Sequence, residues 1–199
     1  VGAYSAEVYR LWAYNKGFSQ TNIEVDAETL RPAAMLHDLG KLAIPHHIRQ
    51  KPQKLSTEEF DIMKQHAVKG AQMLLKSSQS EYEDMAVQIA FNHHECWNGT
   101  GYPGHINVLT EQVLPGHLTE AGTAQPKKGE EIPIFGRVVA VADVYDALSC
   151  DRVHRDALSE EEALHILREE SGKRFDPEVV DAFFSGIDTI RAIAQQFPE

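Results

Sequence analysis

Ten histidines occur in 199 residues, and several lie where an imidazole could act as a ligand rather than a surface group. His37-Asp38 closes the apolar segment Ala33-Ala34-Met35-Leu36. His66 follows Met63 and precedes Gly70 on or beside the inward stripe of a helix-like run, and His93-His94 ends another that starts at Tyr82. Asp143 interrupts the apolar stretch Val138 to Val144. A solitary core histidine more often donates to a carbonyl, and a histidine pair at a helix end can simply complement the helix dipole. Asp143 is harder to read as structural, because a carboxylate among valines and alanines is costly to desolvate unless it is paired or holds a metal. If the imidazoles of His37, His66, His93 and His94 converge with Asp38 and Asp143, the set suits a dinuclear site of first-row metals.

The elements that must position these groups read as helices. Ser56 to Glu59 makes a capping box ahead of Phe60, Met63, Ala67, Ala71 and Leu74 at helical spacing. Ser159 to Glu162 repeats the device before Ala163, Leu164 and Leu167. Asp176-Pro177 is an N-cap with proline at the first helical position, followed by Val179, Val180, Phe183 and Phe184. Val1 to Trp12 also reads as helix. Arg137 to Leu148 is ambiguous by periodicity, since a β-branched run fits a buried strand or a buried helix. With no second strand to pair with it, the expectation is a buried helix and almost no strand. From Gly104 to Glu131 the composition turns to Gly, Pro, Thr and Lys, which predicts a long loop with a short helical turn near Leu109 to Val113.

The length suits one domain over 1–199, with 42% apolar residues to build a core. The start at Val1 leads us to expect a fragment of a longer protein. Cys96 and Cys150 form no CxxC pair, which argues against a disulfide scaffold or a thiolate zinc site and fits the reducing cytoplasm. No apolar run approaches the ~18 residues that cross a bilayer. The net charge of −11 speaks against DNA or RNA polymers and anionic membranes as partners. Lys41, Arg49, Lys51 and Lys54 nevertheless form an acid-free basic stretch that could rim a phosphorylated ligand.

His37-Asp38-Leu39-Gly40-Lys41 resembles the HDxGK signature of the HD superfamily of metal-dependent phosphohydrolases. His93-His94-Glu95 with Gly99-Thr100-Gly101-Tyr102-Pro103-Gly104 is similar to the block that marks its HD-GYP subfamily. Val141 to Leu148 resembles a third block, and Ser171-Gly172 with Phe175-Asp176-Pro177 the closing one. The resemblance implies an all-α HD-domain helical bundle carrying a long loop insertion, 105–129, after the GYP motif. It further implies two divalent first-row metals, iron or manganese, with nickel or zinc also suited to the ligands. Asp38 would bridge them, His37 and Asp143 would hold the first, and His66, His93 and His94 the second. Lys41 would act with Asp38 in catalysis and touch a phosphate oxygen, while Arg152 and Arg155 would grip the substrate phosphates.

The implied activity is hydrolysis of cyclic di-GMP to pGpG or on to GMP by a metal-activated water. Cyclic GMP-AMP is an alternative substrate, and a non-hydrolysing signalling module is the rival from another class. The GYP loop is a place for recognition or for a protein partner, and a sensor or receiver domain is expected upstream. Three departures stand out. Tyr4 to Trp12 contains no histidine where the family usually has one, with Glu7 the conceivable substitute. The segment between Pro103 and Ile132 is longer than usual. Val153-His154 replaces the common Pro-Tyr between the two arginines.

Overall fold

The computed structural model describes residues 1–76, 80–150 and 158–196. Among them the regular elements are helices, with three isolated bridges in place of any sheet. In chain order these are α1 (Gly2–Asn15), α2 (Gln20–Ala34), α3 (His46–Arg49), α4 (Thr57–Leu75), α5 (Glu81–Asn92), α6 (Ile134–Ser149), α7 (Glu160–Glu169), α8 (Pro177–Ser185) and α9 (Ile187–Gln196).

The start signals behave as their chemistry dictates. Ser56 and Ser159 each accept from the backbone three residues on, while Glu59 and Glu162 reach back, so both capping boxes close. Asp176 accepts from Glu178 N and Pro177 opens α8.

The Val138–Ala142 run is helical and buried throughout, which makes α6 the central helix. Burying each of its large apolar side chains is worth about 1.5–3 kcal/mol. Against α6 lie α1, α5, α7 and α8, and α4 packs on α5. Tyr145 is wedged edge-on between Tyr4 and Phe183, with ring centroids 5.3 and 5.0 Å away. Gly136 marks the closest approach of α6 to α5, since a Cβ there would stand 2.9 Å from Asn92 Cβ.

One expectation fails. The 109–113 stretch is not helical: Ile106 and Val113 face each other in an antiparallel bridge, and Leu118 and Ala124 in another. Asn107 is the reason. Its side-chain oxygen accepts from Leu109 N and Thr110 N at 2.9 Å each, an Asx turn that bends the chain back and competes with a helix.

Candidate metal centre

Four helices deliver the site. Where α2 ends, at Ala34, the chain turns through His37 and Asp38 into a 3-10 turn over Leu39–Ala43. His66 lies in the middle of α4, His93 is the C-cap of α5 with His94 next, and Asp143 faces in from α6.

Gly40 decides how closely the first of these meets the second. A Cβ at this position would lie 1.9 Å from His66 O and 2.4 Å from Gly70 N, so only glycine lets the turn seat on α4. That contact gives the HDLGK glycine a purely steric reason.

The histidine rings are aimed by their own backbones. His37 Nδ1 lies 2.7 Å from Ala34 O, His66 Nδ1 2.7 Å from Met63 O, and His93 Nδ1 3.1 Å from both Ile89 O and Ala90 O. A carbonyl can only accept, so each Nδ1 carries its proton and each Nε2 turns inward, the arrangement that prepares imidazole as a ligand.

The inward atoms crowd together. His66 Nε2 stands 3.4 Å from His93 Nε2 and 3.1 Å from His94 Nε2. Asp38 Oδ1 lies 3.4 Å from His66 Nε2 and 3.9 Å from His93 Nε2. One ligand atom from each of Asp38, His66, His93 and His94 falls within 4.8 Å of all the others. On the opposite side, His37 Nε2 is 3.3 Å from Asp38 Oδ2 and 3.4 Å from Asp143 Oδ1.

Asp38 therefore stands between two groups, the three imidazoles and the His37–Asp143 pair.

This donor set fits metal. The Nε2 atoms of His66 and His93 present lone pairs to one another with no hydrogen between them. Asp38 Oδ1 is buried without a hydrogen-bond partner, an expensive state unless a cation meets it. Burial also keeps the imidazoles neutral, with His93 pushed down to about 3 and His94 and His66 lowered for the same reason. His37 goes the other way. Burial opposes its charge, but hydrogen bonds and charges from Asp143 and Asp38 outweigh it and raise the ring to about 10. Asp38 and Asp143 are both held well below the usual carboxylate range, because His37, helped at Asp38 by Lys41, overcomes the cost of their burial.

Of the remaining expected residues, Lys41 Nζ donates to Asp38 Oδ2 at 2.5 Å. Arg152 and Arg155 lie outside the described residues. Glu7 stays out of the centre: its carboxylate faces Arg10 at 4.0 Å and lies close to Gly186. The basic stretch is less free than it reads, since Lys51 is bound by both carboxylate oxygens of Glu59 at 2.6 and 2.8 Å.

The structure adds groups that spacing did not single out. Tyr102 stacks on His94, with centroids 4.8 Å apart, and burial keeps its phenol protonated. Glu95, buried, accepts from Gly104 N at 2.6 Å and Lys127 N at 3.1 Å, pinning both ends of the insertion beneath the paired histidines. Arg137 bonds the buried Asp176 at 2.7 Å and ties α6 to the start of α8. Arg174, one residue before the Phe175-Asp176-Pro177 block, lines a cavity beside His94 and Tyr102. The GYP block marked Tyr102 and Glu95, but no local pattern marks Arg174 as a neighbour of the centre.

Residues 4–148 match the HD domain family. The chain belongs to that family, and its motif blocks make it an HD-GYP member. It is 40% identical over 176 residues to a cyclic di-GMP phosphodiesterase of Vibrio cholerae, a match covering 86% of this chain and 32% of the relative. A 3′3′-cGAMP-specific phosphodiesterase of the same organism is 34% identical, over 88% of this chain and 30% of its own. The chain thus spans about a third of the length of these curated relatives. In fold it is similar to an HDG"Y"P protein from Bdellovibrio bacteriovorus, with a TM-score of 0.57 at 18% identity over 94% of this chain and 51% of that one. Among the described residues no helix is long and apolar enough to cross a membrane.

Proposed function

We propose that this domain is a metal-dependent phosphodiesterase that opens cyclic di-GMP to pGpG and carries it on to GMP. The observation that carries the reading is the shared carboxylate of Asp38, set between three neutral imidazoles and the His37–Asp143 pair with a buried oxygen left unpartnered. His66, His93, His94 and Asp38 would hold one divalent first-row metal, and His37, Asp143 and Asp38 a second, with iron or manganese the best-suited pair. Bound there, such metals supply a nucleophile at neutral pH and neutralise the attacked phosphate.

The chain's own residues do the rest. Lys41 balances Asp38 and offers its ammonium to a phosphate oxygen, and Arg152 and Arg155, which follow α6 in sequence, would grip the substrate phosphates. Tyr102 fixes the plane of His94. The proton held by His37 has to leave before that ring can ligate. Hydrolysis adds one water per phosphodiester and breaks the bond from phosphorus to the ribose 3′-oxygen. As an enzyme of a bacterial second messenger the domain would work in the cytoplasm, under a sensor or receiver domain elsewhere in the protein, with the GYP loop free to meet a partner.

The test is metal content per chain by plasma mass spectrometry, alongside chromatography of products from cyclic di-GMP. About two metals per chain with pGpG formed would support the reading. Metal-replete protein that leaves the dinucleotide intact would overturn it. Because one relative is named for 3′3′-cGAMP, parallel kinetics on that dinucleotide separate the second substrate.

A further inference from the structure

A cavity of about 520 Å³ adjoins the metal centre on the His94 side, and the hydrolytic roles above leave it without an occupant. Phe60, Lys64, Thr100, Tyr102 and Arg174 line it together with His94. Two of its walls are aromatic. Tyr102 backs onto His94, and Phe60 on α4 is 46% exposed, with Lys64 Nζ 4.9 Å from the Phe60 centroid and 5.9 Å from that of Tyr102.

Two cations line it: Lys64, paired with Asp61 at 2.8 Å, and Arg174. No carboxylate of the described residues pairs with the Arg174 guanidinium, which lies 5.5 Å from the Phe175 ring centroid. Its backbone is pinned: Arg174 O accepts from Trp97 N at 3.1 Å, and the turn leading to it bonds three times to Glu170 O at 3.0–3.1 Å. A preset fork on a fixed backbone loses little entropy when it binds a flat, two-acceptor partner.

Arg174 and the neutral imidazole of His94 line the same cavity. The phosphates have Asp38's side of the centre, with Lys41. Flat aromatic walls next to a fork of N–H donors instead suit a purine, and guanine in particular, whose O6 and N7 accept two parallel hydrogen bonds where adenine offers one acceptor and one donor. We propose that Arg174 is a specificity-determining residue that reads the O6/N7 edge of a guanine seated in this cavity. The inference rests on the cyclic-dinucleotide reading of the previous subsection, and it names the residue that selects guanine within it.

The experiment compares kcat/KM of metal-loaded wild type and Arg174→Gln on cyclic di-GMP and cyclic di-AMP, with bis(p-nitrophenyl) phosphate as a baseless diester. Wild type is expected to favour the guanine substrate. The variant should lose roughly 10–100-fold on it, chiefly through KM, and gain relative ground on cyclic di-AMP, because glutamine pairs with adenine. Phe60→Ala should raise KM for both dinucleotides and leave their ratio alone, since stacking on an aromatic ring tolerates any base. Arg174→Lys, which keeps charge without the fork, should recover only part of the guanine preference.

An unchanged guanine-to-adenine ratio in Arg174→Gln overturns the inference while leaving the phosphodiesterase standing. So does an equal loss on the baseless diester, which would mark Arg174 as a structural support. Wild type that hydrolyses the baseless diester but neither dinucleotide overturns the functional reading first, and the inference with it.

Discussion

His37 and His93 lie edge to face with ring centroids 5.1 Å apart, yet one holds its proton to about 10 and the other sheds it by about 3. Both are buried. The difference is in what each ring's inward nitrogen meets. His37 faces two carboxylates, Asp38 and Asp143, so a proton stands there in the position a metal would take. His93 faces other imidazoles, where a proton would add repulsion to the cost of burial. Under the two-metal reading proposed above, the two halves would take up metal in different ways. The three-imidazole half is already neutral. The carboxylate half would have to exchange a proton for a metal.

The largest effect that can break this comparison comes from the residue common to both halves. Asp38→Ala should empty both sides and lower turnover by on the order of 10³-fold or more. Retention of either metal by the variant would mean that the halves do not share this carboxylate.

Next is Gly40→Ala. The added methyl collides with backbone of α4 rather than with a yielding side chain. We expect a loss of about 3 kcal/mol in urea unfolding, together with weaker loading of the His66 half, because the Asp38 turn must back away. A variant of wild-type stability would show the turn to be freer than the packing indicates.

Third, pH should separate the halves. Titration calorimetry in buffers of different ionisation heat should find about one proton released per chain at neutral pH as the His37 half fills, and almost none from the other half. The metal-free protein should be most stable near pH 6.5, the ordinary histidine value. From there up to about 10 the folded state binds more protons than the unfolded one through His37, so stability falls as pH rises. From there down to about 3 the unfolded state binds more through His93, so stability falls as pH drops. A metal held by His37 would displace that proton and with it the alkaline loss. Thermal melts showing the same pH profile with and without metal would contradict the proton-exchange account.

The smallest effect concerns Glu95, which fastens the insertion beneath the paired histidines. Glu95→Gln removes the charge from its two backbone contacts and should cost about 1 kcal/mol of stability. Amide exchange should quicken in 104–127 while metal content stays whole. Loss of metal instead would make the clamp part of the centre.

Much of the helical frame was readable in advance because caps and periodicity are local. Ser56, Ser159 and Asp176 close on partners within three residues, and nothing distant can change that. The Leu109–Val113 turn misled for the same reason in reverse, since its outcome turned on where one side chain, Asn107, would bond. The ligand types were visible as an ordered set of motifs. Arg174 was not visible as a neighbour of the centre, because it meets the centre through residues remote in sequence; Glu95 stood in the motif beside His94, but its contacts with Gly104 and Lys127 did not.

By itself the sequence determined that the chain would be helical, where most of its helices begin, and which His and Asp side chains could serve as ligands. These follow from hydrogen bonds and periodicities that span a few residues. Only the tertiary structure decided how closely the ligands crowd, that His37 keeps a proton while His93 cannot, and that Arg174 shares a cavity with Tyr102. Those depend on burial and on charges brought within a few ångströms from separate helices, and such electrostatics exist only once the chain has folded.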